Sequence, residues 1–289
     1  MKDFVFQGLG THWSITIDGK ALEDSTKKNI LEYVQSFENR FSRFLLDSEN
    51  NSFREAEPGE YAVSEEFSKL LSVADQLRAL TNGVYDPVAG MLLEGAGYGV
   101  QNDKALHKKI DEVILPTWSL KERTLTLDGP AIFDFGGFGK GYCIDQLSNM
   151  LKDSGYEHFI VDGGGDMFGT TKKDGTPWKI AIEYPGKKDM ALGTVALENK
   201  GVAVSDSFRR RWGKWHHLIN PKEKEVVTDI IGGVAVADSS LSADCMTSVL
   251  FFSTSANHAP ASEMYNAQYL LVQDDGFTRV SPSWKGKLF

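Results

Sequence analysis

Segments of two different periods are interleaved along this chain without ever alternating regularly, and that ordering limits the fold more than any other feature. Period-2 alternation marks Trp13 to Ile17, Thr124 to Leu127, Trp178 to Ile182, Thr194 to Leu197, Val202 to Ser205, Gly233 to Ala237 and Gln268 to Val272 as strands. Helical spacing joins Ile30, Tyr33, Val34, Phe37 and Phe41 after a Ser25-Thr26 start. The same spacing joins Phe67, Leu70, Leu71, Ala74 and Leu77, between Ser64 and a stop at Asn82-Gly83. Two more helices are predicted, from Gly141 to Lys152 with a stop at Gly155, and from about Leu241 to Phe252. Helices gather in the first third and strands in the remainder, with no succession of βαβ units. That order favours an α+β fold over a doubly wound parallel sheet. The expectation is a single compact two-lobed unit over residues 1–289, with mixed or antiparallel strands and flanking helices.

Composition removes several classes of function. The chain has 289 residues with 31 Lys+Arg against 40 Asp+Glu, a formal charge of −9. Phosphate neutralisation along a nucleic acid needs concentrated Lys and Arg, so a general nucleic-acid binder is excluded. The basic cluster Arg209-Arg210-Arg211 is too short to reverse that balance. The longest apolar runs fall far short of the roughly 20 residues needed to cross a bilayer. The start, Met1-Lys2-Asp3-Phe4-Val5-Phe6, lacks the basic-then-apolar order of a signal peptide. The expected location is therefore cytoplasmic, the alternative being a mature periplasmic domain whose leader was removed. Cys143 and Cys245 have neither disulfide-framework nor zinc-site spacing, and are expected to be small buried apolar residues.

Chemistry concentrates in four places. In Asp134-Phe-Gly-Gly-Phe-Gly-Lys-Gly-Tyr-Cys-Ile-Asp145, a strand predicted from Ala131 to Phe133 runs into a glycine-rich turn, Lys140 and a helix. Glycines let backbone N–H groups approach an anion, and a helix N-terminus and a lysine add positive charge, so the segment could cradle a phosphate or pyrophosphate. The same glycines could equally serve tight turns. Walker A spacing fails because Gly141 follows Lys140, and Asp134-Phe135-Gly136 stands without a kinase catalytic loop. Next comes Val161-Asp-Gly-Gly-Gly-Asp166, where consecutive glycines point to close backbone packing or turn chemistry. The third place is Ser242-Ala-Asp244-Cys-Met-Thr247-Ser248, where Asp244 and Ser248 share a helix face with Thr247 close by. One carboxylate with hydroxyls offers hard oxygen ligands for Mg²⁺ or Ca²⁺. The fourth is Trp215-His-His-Leu-Ile-Asn-Pro221, in which His217 is either a buried structural histidine or a general base. His12, His107, His158 and His258 show no metal-ligand pairing.

Taken in order, these segments resemble the FAD:protein FMN transferases, the ApbE or thiamine-biosynthesis-lipoprotein-like family. Leu9-Gly-Thr-His-Trp13 is similar to the family's Met-Gly-Thr-x-Trp, and Phe41-Ser-Arg-Phe44 with Asp47-Ser48 to its Ser-x-Phe segment. Thr81-Asn-Gly-Val-Tyr-Asp-Pro87 is similar to Thr-x-Gly-x-(Tyr/Phe)-Asp-Pro, and Asp134 to Asp145 to Asp-Leu-Gly-Gly-Ile-Ala-Lys-Gly-Tyr-Ala-x-Asp. Asp162-Gly-Gly-Gly-Asp166, His217-Leu-Ile-Asn-Pro221 and Ala243-Asp244 complete the order. The resemblance implies Mg²⁺-dependent transfer of the FMN moiety of FAD to a Thr or Ser hydroxyl of an acceptor flavoprotein, with release of AMP. It assigns the metal to Asp244, Thr247, Ser248 and the Gly137 carbonyl. Flavin and adenine contacts fall on Leu9, Phe44, Val84, Tyr85, Asp86, Asp134, Lys140 and Leu218, and activation of the attacking hydroxyl on His217. Two departures stand out: Ser248 replaces the family's usual Thr, and Val204-Ser205-Asp206 replaces its frequent Thr-Ser-Gly, adding negative charge near the phosphate site. The competing readings are an FAD pyrophosphatase giving FMN and AMP, and a non-catalytic flavin-binding protein. Acceptor dependence separates the first from a transferase, and Asp244 together with His217 weighs against the second.

Overall fold

Each predicted period finds its element in the computed structural model, which describes residues 1–100 and 109–289. Helix α1 (Asp24–Phe41) carries Asp24 in its first turn and Arg40 in its last, as the helix dipole favours. In α2 (Glu65–Leu80) the Ser64 side chain accepts from the Phe67 N–H, and Thr81 closes the far end. A short helix, α3 (Gly90–Gly95), follows. Helix α4 (Gly139–Asp153) starts two residues earlier than expected, and α5 (Ser240–Phe252) is capped by Ser239. A sixth helix, α6 (Ser255–Met264), contains Pro260 and was not expected from the pattern. Among the described residues, no helix is long and apolar enough to cross a membrane.

The chain divides into two units. The first comprises residues 1–36, 137–209 and 228–289. Its eight-stranded sheet runs Lys2–Gly8, Thr11–Ile17, Phe159–Gly163, Met167–Gly169, Lys200–Asp206, Ile230–Ala237, Gln268–Gln273 and Thr278–Val280. Every neighbouring pair is antiparallel. Register follows the alternation: Ile15 lies opposite Val161 and Ile17 opposite Phe159. These side chains pack with Ile30 and Val34 of α1 and with Ile144, Leu147 and Leu151 of α4. A second cluster joins Trp178, Ile182, Val195 and Leu197 to Val202, Val234, Val236 and Leu270. Helix α5 lies on the sheet, where a side chain at Gly233 would meet Leu250 and Phe251.

The second unit comprises residues 37–136 and 210–227. Its core is aromatic: Phe53, Phe67, Trp118 and Phe133 meet edge to face or tilted, with ring centroids 5.5 to 6.0 Å apart. A three-stranded antiparallel sheet orders Gly59–Ala62, Thr124–Leu127 and Trp118–Lys121. The α+β expectation therefore stands, with antiparallel sheets throughout.

One expected strand is absent. Ala131 to Phe133 joins no ladder, because its polar groups are taken one at a time by unlike partners. Ala131 N–H donates to the Phe53 carbonyl (2.9 Å). The fully buried Asn50 amide accepts from Phe133 N–H (3.1 Å) and donates to its carbonyl (2.6 Å). A side chain here does what a neighbouring strand would otherwise do.

Candidate functional site

In the first unit, the approach of two helices creates the polar cluster. A Cβ at Gly141 would sit 2.5 Å from the Ser240 carbonyl oxygen and 2.8 Å from Asp244 Cβ, so only glycine lets α4 and α5 come this close. The Gly141 N–H then donates to Asp244 Oδ2 (3.0 Å). Asp145, one turn further along α4, accepts from the N–H groups of Ser240 (2.8 Å) and Leu241 (2.9 Å), satisfying the first turn of α5. On the same face as Asp244, the Ser248 hydroxyl donates to the Gly137 carbonyl at 2.7 Å. Thr247 turns back to the Asp244 carbonyl (2.9 Å) and shares a hydrogen bond with Ser205 (3.1 Å). Asp244, Thr247 and Ser248 are all buried.

This donor set consists of oxygen alone: a carboxylate, hydroxyls and a carbonyl. Neighbouring oxygens around octahedral Mg²⁺ lie about 3 Å apart, which the Ser248–Gly137 pair nearly matches. The chemistry fits a hard cation, with Asp244, Ser248 and Gly137 as candidate holders and Thr247 beside them. Among the described residues, no group of three His, Cys, Asp or Glu side chains could hold a metal ion, so a zinc-type centre has no support there. His107 lies outside the described residues.

Two further motifs join this cluster. Lys140 pairs with the buried Asp166, whose other oxygen accepts from Val204 N–H (2.9 Å). Leu9 and Gly10 form the two-residue turn between the first two strands, both at positive φ (49° and 68°), as a type I′ turn requires. A leucine held in this conformation is strained, and such strain gathers at functional positions. Thr11, just beyond, abuts Gly164, where a Cβ would sit 2.4 Å from the threonine hydroxyl. The charge added by Asp206 is neutralised locally: one oxygen accepts from the Phe208 and Arg209 N–H groups, and the other lies 3.0 Å from Arg209 Nε.

The second unit holds the other candidates. The motif from Thr81 to Pro87 is a helix exit. Asn82 and Gly83 are both left-handed, the Tyr85 N–H donates to the Thr81 hydroxyl (2.9 Å), and Asp86 caps the 3₁₀ turn Pro87–Ala89. Tyr85 is buried, while Val84 and Asp86 are partly exposed. Burial pushes the Asp86 carboxyl up, opposed by the N–H groups of Trp118 (2.9 Å) and Val88 (3.2 Å). Asp134 N–H donates to the Pro87 carbonyl (2.7 Å), so this motif and the glycine-rich turn meet. Its carboxylate accepts from Gly136 N–H (2.7 Å) and from Arg43 Nε (2.6 Å). Burial, the largest influence, works against its charged form. Arg43, the Gly136 N–H and Arg210 outweigh it and hold the carboxyl below its usual value. Phe44 is exposed, with its ring 5.4 Å from that of Tyr98.

The two adjacent histidines differ. His216 is buried: its Nε2–H donates to the Val227 carbonyl (3.0 Å) and its Nδ1 accepts from Leu218 N–H (3.3 Å). These bonds fix a neutral ring, and burial lowers its pKa. His216 thus has a structural role, and the partly exposed His217 beside it is the candidate base. Leu218 is buried beside them. Sequence reasoning quoted Arg43, Asp145, Ser205 and Asp166 within motifs but gave none of them a role. Of these, Asp145 carried a signal, one turn beyond a helical glycine.

Comparison with known proteins covers the stretch in which these motifs lie. The model of the ApbE family matches residues 9–268. A protein of Haemophilus influenzae named FAD:protein FMN transferase is 26% identical over 97% of this chain and 89% of its own length. One of the same name from Vibrio cholerae is 25% identical over 95% of this chain and 89% of its own. Among solved structures, the ApbE protein of Thermotoga maritima superposes with a TM-score of 0.83 at 22% identity, covering 98% of this chain and 97% of that one. The fold is shared with that structure, and the family model spans most of the sequence, motifs included: the chain belongs to the ApbE family.

Proposed function

We propose that this protein transfers the FMN moiety of FAD to a Thr or Ser hydroxyl of an acceptor flavoprotein and releases AMP, with Mg²⁺ as its metal. The observation that carries the reading is the oxygen cluster of Asp244, Ser248 and the Gly137 carbonyl, built by the motifs that the family match spans. Those groups would hold Mg²⁺, with Thr247 beside them; bound there, the ion would offset charge developing on phosphoryl oxygens. Lys140 supplies a positive charge for the diphosphate, and Leu9, Phe44, Val84, Tyr85, Asp86, Asp134 and Leu218 contact the flavin and adenine. His217 takes the proton of the attacking hydroxyl. The hydroxyl oxygen forms a bond to the riboflavin-side phosphorus as the bond to the bridging oxygen breaks, and AMP leaves with that electron pair. Positioning accounts for much of the rate.

Mass spectrometry of a Thr-bearing acceptor incubated with FAD, Mg²⁺ and this protein tests the reading. A gain of one FMN, abolished by EDTA, is expected. FMN and AMP released at the same rate without acceptor would make the protein a pyrophosphatase. FAD bound and returned intact would make it a flavin-binding protein.

A further inference from the structure

Arg43 is the most deeply buried charge near the Asp134 turn, with its side chain 2% exposed, and no motif gave it a task. Its backbone and its side chain are both tied down. The Arg43 carbonyl accepts from Asn51 Nδ2 (2.9 Å), and Asn51 in turn accepts from Arg54, which grips Glu94 through two nitrogens (2.6 and 2.8 Å). The guanidinium donates from Nε to Asp134 (2.6 Å) and from Nη1 to the Tyr98 carbonyl (2.7 Å). Its carbon lies 4.1 Å from the centre of the Phe44 ring and 5.0 Å from that of Tyr98. The third nitrogen, Nη2, is buried and makes no hydrogen bond among the described residues. The group is thus turned inward. It can act on a ligand only through what it holds.

We propose that Arg43 is a positioning residue for the flavin nucleotide, one guanidinium setting both the Asp134 carboxylate and the Phe44–Tyr98 wall. The proposal rests on the reading of Asp134 and Phe44 as flavin contacts. The planar fork is what the task requires: a lysine offers a charge but cannot address a carboxylate and a carbonyl at fixed angles while lying against a ring.

FAD affinity of the full chain with Mg²⁺, followed by flavin fluorescence, tests it together with KM and kcat for transfer. Arg43→Met should weaken FAD binding and raise KM about tenfold, with kcat at saturating FAD changed by less than about threefold. Asp134→Asn should weaken binding similarly, and the double variant should be no weaker than the poorer single one, because both changes remove the same arrangement. Losses that multiply in the double variant, or wild-type affinity in Arg43→Met beside a weakened Asp134→Asn, would overturn the proposal. Wild-type affinity in Asp134→Asn would instead remove the flavin reading beneath it. Should Arg43→Met not fold, Arg43→Lys keeps the charge: an intermediate affinity supports the fork, and wild-type affinity refutes it.

Discussion

The junction of α4 and α5 and the carboxylate of Asp134 are both polar and mostly enclosed, yet they are held by opposite means. Asp244 is fixed by a neutral N–H group, and its neighbours are hydroxyls and a carbonyl brought close because Gly141 has no side chain. Asp134 is fixed by a full charge, Arg43, with Glu94 and Arg54 behind it. The first region depends on shape, a close approach that sets a carboxylate, hydroxyls and a carbonyl side by side. The second depends on charge balance, and a buried ion pair that loses one partner costs far more than its formation contributes.

Substitutions can break this contrast. The largest effect is expected from Asp244→Ala: FMN transfer should fall on the order of a thousandfold or more, while the melting temperature barely moves. Full transfer activity in that variant would show that the junction is not the chemical centre. His217→Ala should lower kcat about a hundredfold and leave FAD affinity unchanged. Equal losses in both would make His217 a binding or structural residue. Gly141→Ala tests shape directly. Alanine gains about 1 kcal/mol in helix propensity. The new methyl would nevertheless meet the Ser240 backbone at 2.5 Å, so urea denaturation should show a net loss of about 1–3 kcal/mol. A more stable variant would end the argument from close approach.

The smallest effect concerns His216 and pH. Its folded pKa is lowered from 6.5, so its contribution to stability is complete above that value and is lost as pH falls through the folded one. His216→Gln can keep both hydrogen bonds without titrating. Its urea midpoint should therefore fall less than the wild-type midpoint between about pH 7.5 and pH 5. Parallel falls would show that the ring is not held neutral.

Much of the framework could be read from period alone. Thr124–Leu127 appears with the expected bounds, and Trp178, Gln268 and Phe252 mark element ends as anticipated. Helix α6 escaped because Pro260 interrupts it and only His258 and Ala261 are buried. The strand expected at Ala131 to Phe133 failed because an apolar run does not reveal whether its partner is a strand or, as here, one asparagine. The site divides similarly. Helical phase put Asp244 and Ser248 on one face, and the family resemblance added the Gly137 carbonyl. Arg43 stayed hidden because arginine is ordinarily solvent-facing, and its burial arises from contacts distant in sequence, to Tyr98 and Asp134.

The carboxylate of Asp145 accepts the first two N–H groups of α5, although it belongs to α4, some 95 residues earlier in the chain. The two helices are tied together: lifting α4 would take the acceptors from Ser240 and Leu241 and leave α5 the Ser239 cap alone, and unwinding the first turn of α5 would leave a desolvated carboxylate behind. Amide deuterium uptake should accordingly report one shared opening event for both helices, with Ser240 and Leu241 exchanging in step with the middle of α4 rather than as an early-melting end.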